Sequence, residues 1–200
     1  MDTRQPDLTR QRILEAAFAE IHRHGFQAAS LSKILGDTGL TKGALYHHFP
    51  DKKALGLAVV DEIIAGYLDD ALFAPLRDAQ RPGQALLDVI AGRQSTDEAR
   101  IHLGCPLNNL MQEMSPIDED FRAHLSVVLA RWQTSIQSAL TKAREAGDLR
   151  PGVDCRSAAL FIVSAWEGCT GVAKNMQSPE AYRSCMGQLH AFVSGLMQAT

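Results

Sequence analysis

Residues 30–49 read Ser-Leu-Ser-Lys-Ile-Leu-Gly-Asp-Thr-Gly-Leu-Thr-Lys-Gly-Ala-Leu-Tyr-His-His-Phe, two short apolar patterns broken by a glycine. Ser30 and Thr41 can each cap a helix, because a hydroxyl oxygen at that position accepts from a free N–H of the first turn. The first helix carries Leu31, Ile34 and Leu35; the second runs from Lys42 to about His48. Gly39 sits at the turn between them, where glycine alone takes positive φ without strain. Pro50 ends the second helix, since the residue before a proline disfavours helical geometry. Two short helices around a glycine turn make the helix-turn-helix layout, in which the second helix enters the major groove of duplex DNA.

That second helix divides into faces. Leu45 and Phe49 lie four residues apart and point one way with Leu40, while Lys42 with Tyr46 and Gly43 with His47 point elsewhere. One face suits a core. The other offers donors, a stackable ring and, at Gly43, bare backbone able to come close to DNA. The alternative is a solvated helix with an incidental lysine and two histidines. The flanking cations favour DNA. Arg10 and Arg12 are expected in the first turn of a helix beginning near Thr9, and Lys52 and Lys53 in the first turn of one capped by Asp51. Cations at helix N-termini cost about 0.3–1 kcal/mol. Phosphates bound at those ends would remove the penalty.

Outward from this stretch the chain reads as all-α. Ile13, Leu14, Ala17, Phe18 and Ile21 stripe the first helix, which ends at Gly25, and the helix after Asp51 continues to about Ala74. Further helices are expected at about 82–95, 105–115, 118–147, 154–175 and 179–198, separated by Pro and Gly signals. The 46% apolar and 22% charged composition is that of an ordinary globular protein. No apolar run is long enough to span a bilayer and no signal-type stretch follows the N-terminal arginines, so a cytoplasmic protein with no membrane partner is expected. Residues 1–56 hold eight Lys/Arg against six Asp/Glu, +2, which leaves −5 of the net −3 to the remainder. A mildly basic head on an acidic body places any polyanion at the head. Cys105, Cys155, Cys169 and Cys185 show no CxxC spacing; they suggest buried small side chains, with neither a zinc site nor a disulfide framework.

Residues 9–55 resemble the DNA-binding domain of the tetracycline-repressor (TetR) family. The matching stretches are Thr9-Arg-Gln-Arg-Ile-Leu-Glu-Ala-Ala17, His24-Gly-Phe26, Gly39-Leu-Thr-Lys-Gly-Ala-Leu-Tyr-His-His-Phe49 and Asp51-Lys-Lys-Ala-Leu55. The resemblance implies a DNA-binding domain over residues 1–55 and a ligand-binding and dimerisation domain over 56–200. It implies base-edge or backbone contacts from Thr41, Lys42, Gly43, Tyr46 and His47, and phosphate contacts from Lys52, Ser32 and the start of helix one, where Arg10 lies. Lys33, beside Ser32, joins that set. Gly36 and Ala44 depart from the family pattern, where alanine and threonine are common. Further on, Gly104-Cys-Pro-Leu-Asn-Asn-Leu110 is similar to a Gly-Cys-Leu-x-x-Asn segment of one branch, and Glu167-Gly168 to its counterpart in the penultimate helix.

The last helix carries a broad apolar stripe, Tyr182, Cys185, Met186, Leu189, Phe192, Val193, Leu196 and Met197, and the helix before it is apolar on more than one side. Phe161, Tyr182, Leu189, Phe192 and Leu196 are therefore expected at a homodimer interface. A monomer whose own core covers both helices is the alternative. An effector has two possible settings. Leu107, Leu110, Met111, Trp132 and Trp166 would hold an apolar ligand, although the two tryptophans also suit a core. Alternatively Cys105, near the N-cap of its helix, would be a sensor thiolate with pKa lowered by free N–H groups and, if the domain packs as the resemblance implies, by Lys174. Asp120 and His124 have metal-ligand spacing, but no second set accompanies them, so no metal is expected. No nucleophile elbow, phosphate-binding glycine loop or HExxH is present, so neither an enzyme nor a cofactor is expected. The function expected is a dimeric repressor on operator DNA, released by a small-molecule effector. An activator using the same contacts and a sensing module with a protein partner are the alternatives.

Overall fold

A computed structural model describes residues 4–198, with side chains from Leu8 onward. The architecture is all-α, with no strand among the described residues. Helix α1 spans Arg4–His24. It begins before Thr9, which is therefore an interior residue and not the cap. Pro6 does not prevent this, because in the first turn its missing N–H has no partner to lose. Arg10 and Arg12 accordingly do not stand at a positive helix end.

α2 covers Leu31–Thr38, α3 Lys42–His48 and α4 Lys52–Ala58. Their caps form as the sequence implies: Ser30 accepts from the N–H of Lys33, Thr41 from Ala44 and Asp51 from Ala54. Gly39 takes φ 66. The helix begun by α4 runs further than expected and unevenly. Two π-helical stretches, Val59–Ile64 and Asp69–Phe73, alternate with α5 (Ala65–Leu68) and α6 (Ala74–Arg77). Nothing in the sequence marks those stretches. The remaining helices are α7 (Pro82–Arg93), α8 (Glu98–Leu103), α9 (Pro106–Met114), α10 (Glu119–Glu145), α11 (Cys155–Met176) and α12 (Pro179–Leu196). α8, six residues capped by Asp97, escapes a periodicity search because it is barely longer than one turn.

Contacts divide the chain into two units, Met1–Tyr67 with Asn109–Ser126, and Leu68–Asn108 with Val127–Thr200. The first unit therefore runs past residue 55 and takes in the α9–α10 corner. Ile13, Leu14 and Ala17 of α1 fill its core with Ile34, Leu45, Leu55, Val59 and Phe121. Phe26 packs on Phe121 with ring centres 4.5 Å apart. Gly56 makes this possible, for a Cβ there would lie 2.5 Å from the Phe26 ring.

In the second unit α11 packs on α12, α12 on α7, and α8 against both α11 and α12. Trp132 and Trp166 meet edge to face with centroids 5.5 Å apart, both buried. Cys169 and Cys185 are joined as a disulfide between α11 and α12, which corrects the expectation of isolated thiols. They lie eight residues to either side of Gln177, whose left-handed φ of 50 turns the helix hairpin. Equal spacing about a tight turn brings the two positions level. Cys105 and Cys155 remain free thiols.

One core group stands out. Glu167 on α11 is 7% exposed. Neither carboxylate oxygen has a hydrogen-bond partner among the described residues. Burial raises its pKa from 4.5 to about 7, and the facing Cys105 thiol offsets this only in part. The raised value has a definite sign for stability. Below about pH 4.5 the folded and unfolded chains both hold the proton. Between that pH and about 7 only the folded chain does, so stability falls as pH rises. The loss is on the order of 3 kcal/mol at most and is complete above the folded pKa. Urea unfolding at pH 5 and pH 8 should therefore show a larger fall in the wild type than in Glu167→Gln. Equal falls would show that this carboxyl is not responsible.

Candidate nucleic-acid interface and effector region

The seven residues of α3 are oriented by what they bury. Leu45 is fully inaccessible and Phe49, which closes the helix, is nearly so. Thr41, Lys42, Gly43, Tyr46 and His47 are exposed on the remaining faces. Tyr46 is 42% exposed, and the Lys42 ammonium lies 5.9 Å from its ring centre. The contact is a cation–π pair at an open site. His47 meets His48 edge to face at 5.2 Å. A Cβ added to Gly43 would find only Thr41 Oγ1, at 3.9 Å, so the backbone of the helix start is uncovered there. Ser32 and Lys33 are exposed on α2, with Lys33 held by Asp37 at 3.1 Å.

The cations expected at phosphates have partners within the unit. Both guanidinium nitrogens of Arg10 pair with the carboxylate of Glu62, whose pKa they lower, and the guanidinium also lies 5.1 Å above the Phe49 ring. Arg12 donates to the Thr38 carbonyl at 2.6 Å. Lys52 does open α4, but it donates to the Gln27 carbonyl at 3.0 Å and stands over the Phe26 ring at 5.0 Å. Lys53 bridges Asp118 and Asp120 at 2.8 and 2.7 Å. Asp120 and His124 are drawn to different partners, since His124 bonds Asp61 at 2.8 Å. No metal-binding cluster is found among the described residues.

Sequence reasoning missed Glu113. After Gly25, at φ 83, the successive N–H groups of Phe26 and Gln27 each donate to its carboxylate at 2.8 Å. The carboxylate lies so close to Gly25 that a Cβ there would be 2.9 Å from it. The available signal was the pair of N–H groups that a left-handed glycine leaves facing one direction.

The residues expected around an effector fall into different settings. Leu107, Trp132 and Trp166 are buried and Lys174 is half-buried, all in the second unit. Leu110, buried, and Met111, half-buried, belong to the first. Two open clefts of about 560 and 520 Å³ in the second unit are lined by none of these residues. Cys105 departs from expectation. The residue is partly exposed, yet its thiol is buried, and desolvation, followed by the charge of Glu167, pushes its pKa well above the usual value. The N–H groups of Leu107 and Asn108 do act on the sulfur in the expected sense but are outweighed. The thiol is therefore not the lowered thiolate that the helix start alone implies.

The apolar stripe of α12 is also divided. Tyr182 and Leu189 are buried in the chain's own core. This removes them from a free surface. Phe161 and Phe192, 51% and 38% exposed, stack on each other at 4.7 Å, and Leu196 is half-buried. Val172 and Met176, eleven and fifteen residues after Phe161, continue its exposed face along α11, while Leu160 is exposed on another side of the helix.

A helix-turn-helix with an exposed second helix, in an all-helical chain, points to a DNA-binding regulator. Residues 13–59 match the family described as bacterial regulatory proteins, tetR family, and residues 84–189 the tetracyclin repressor-like C-terminal domain. The chain belongs to the TetR family of transcriptional regulators and is not an enzyme. It is 29% identical over 182 residues to the transcriptional regulator AcuR of Cereibacter sphaeroides, covering 88% of this chain and 81% of that one. It is 25% identical over 166 residues to the transcriptional repressor DhaR of a Mycobacterium species, covering 80% and 79%. A TetR-family regulator from Cytophaga hutchinsonii shares the fold over the full length of both chains, with a TM-score of 0.87 at 22% identity. No helix among the described residues is long and apolar enough to cross a membrane.

Glu113 supplies two charge-assisted hydrogen bonds to the α1–α2 turn. Removing it leaves the part-buried Phe26 N–H without its charged acceptor, at a cost of about 1.5–3 kcal/mol, while the exposed Gln27 N–H turns to water. Glu113→Ala should lower the unfolding free energy by that order with helical circular dichroism unchanged below the transition. An unchanged denaturation midpoint would show that water replaces the carboxylate at no cost.

Proposed function

We propose that the chain is a dimeric repressor that reads a near-palindromic operator through α3 and is released by a small-molecule effector. In this reading residues 1–55 form the DNA-binding domain and 56–200 carry the effector and dimer functions. The observation that carries it is the face of α3, where bare backbone at Gly43 is flanked by exposed Thr41, Lys42, Tyr46 and His47 while Leu45 and Phe49 anchor the other side. Ser32, Lys33 and Lys52 flank that face as phosphate contacts. Arg10 would have to exchange Glu62 for phosphate, so it takes a smaller part. The relatives that are repressors favour repression over activation. The work is done in the cytoplasm, where operator DNA lies.

Lys42→Ala and Tyr46→Ala should each weaken operator binding by about 1–3 kcal/mol in a gel shift, with folding unaffected. Wild-type affinity in both would remove α3 as the reading helix. Affinity should also fall steeply with salt, since phosphate contacts release counterions.

Dimerisation would use the exposed Phe161–Phe192 pair and its extension through Val172 and Met176. Two half-sites one helical turn apart require recognition helices about 34–36 Å apart, which a dimer can supply. Phe161→Glu and Phe192→Glu should turn a dimer into a monomer at micromolar concentration by sedimentation. A wild-type monomer, or a variant that stays dimeric, would place the interface elsewhere.

A further inference from the structure

Glu167 combines burial with two carboxylate oxygens that have no hydrogen-bond partner among the described residues. Native cores rarely leave such a group without reason. No Lys, Arg or His lies within ion-pair distance of it among the described residues, and the polar group facing it is the Cys105 thiol. That thiol opens α9, and the N–H groups of Leu107 and Asn108 are spent on its sulfur rather than on the carboxylate. A side-chain nitrogen of Asn108 approaches the same α11 face one turn further on, 3.8 Å from where a Cβ on Gly171 would stand. Trp166, the residue before Glu167 on α11, packs its ring on Trp132 with centroids 5.5 Å apart.

From this geometry we infer that Glu167, with Cys105 beside it, is the polar end of a site for a small organic cation bearing N–H donors, such as an amine or amidinium. The inference rests on the reading that the helical domain carries an effector, and it names the effector's class. A buried carboxylate without a partner is costly, and a neutral ligand would leave its charge uncompensated. A protonated nitrogen supplies both the opposite charge and the donors. One carboxylate beside a thiol is too few ligands for a metal ion. Because the Glu167 pKa is raised to about 7, the site is ionised and fit for a cation above neutrality.

The test is calorimetric titration of the full-length protein at pH 8 with methylammonium, benzylammonium and benzamidinium as probes. Benzyl alcohol and benzoate are the neutral and anionic comparisons. At least one cation should bind the wild type at least tenfold more tightly than either comparison. Glu167→Gln should lose that preference, and Glu167→Asp, which keeps the charge, should retain it at weaker affinity. Circular dichroism and urea unfolding establish that both variants fold. The inference is overturned if none of the three cations binds, if Glu167→Gln binds them as well as the wild type does, or if benzoate is preferred, which would make Glu167 a protonated donor. A gel shift on the same wild-type preparation separates the two readings. Operator binding without cation binding removes only the ligand class, while absence of operator binding removes the repressor reading whatever the cations do.

Discussion

Burial of Leu45 and Phe49 is the constraint on which the candidate interface depends. A seven-residue helix has almost no stability of its own, because nucleation fixes several residues for one hydrogen bond. α3 exists because those two side chains enter a core shared with α1. Once they are committed, the 3.6-residue period leaves no choice about what faces outward. Thr41 then has two tasks, as the cap that satisfies the N–H of Ala44 and as an exposed hydroxyl beside Gly43. The same economy holds on the α1–α2 turn, where Gly25 admits Glu113 and Gly56 admits the Phe26 ring. Both glycines are space requirements set by a neighbour, and Gly25 is in addition a conformational one.

The charges follow a different logic. Arg10, Arg12, Lys52 and Lys53 would suggest, on residue type alone, a continuous basic rim for phosphate. In the folded unit each is already engaged, by Glu62, by the Thr38 carbonyl, by the Gln27 carbonyl and by two aspartates. Exposed pairs of this kind contribute little to stability. A phosphate approaching any of them would compete with that internal partner, and the cost of breaking the pair would be subtracted from the contact. Among the described residues no carboxylate pairs with Lys42, which is held by the weak attraction of the Tyr46 ring. The outward lysine of α3 is thus cheaper to recruit than the arginines behind it.

What could be read in the sequence tracks the range of the forces involved. Helix caps, the glycine turn and the two faces of α3 depend on residues within four positions of one another, and Ser30, Gly39, Thr41 and Leu45 declare them directly. Contacts distant in sequence were not legible. Glu113 gives no local hint that it will serve N–H groups eighty-seven residues earlier. Glu62 gives none that it will claim Arg10. Tyr182 and Leu189 belong to the same apolar stripe as Phe192, and periodicity cannot divide a stripe between a protomer's core and its surface. The Cys105 thiol shows the same limit in electrostatics. Its helix start was visible, but burial and Glu167 reverse the sign of the effect.

Glu167 differs in kind from the rest of the second unit, whose core is apolar side chains and a disulfide linking α11 to α12. A ligand shifts a conformational equilibrium only by the difference in its affinity for the two states. Most core contacts have nothing further to gain from a ligand, since their groups are already satisfied. An unsatisfied buried carboxylate is the exception, because supplying its missing partner releases a desolvation penalty already incurred on folding. Coupling between two sites in proteins is commonly about 1–3 kcal/mol. The penalty at this one carboxyl is of that same order, judged by its pKa of about 7. On the reading that this unit carries an effector, Glu167 is the side chain to which a ligand would have most to supply, in a core whose α11 and α12 are tied by a disulfide.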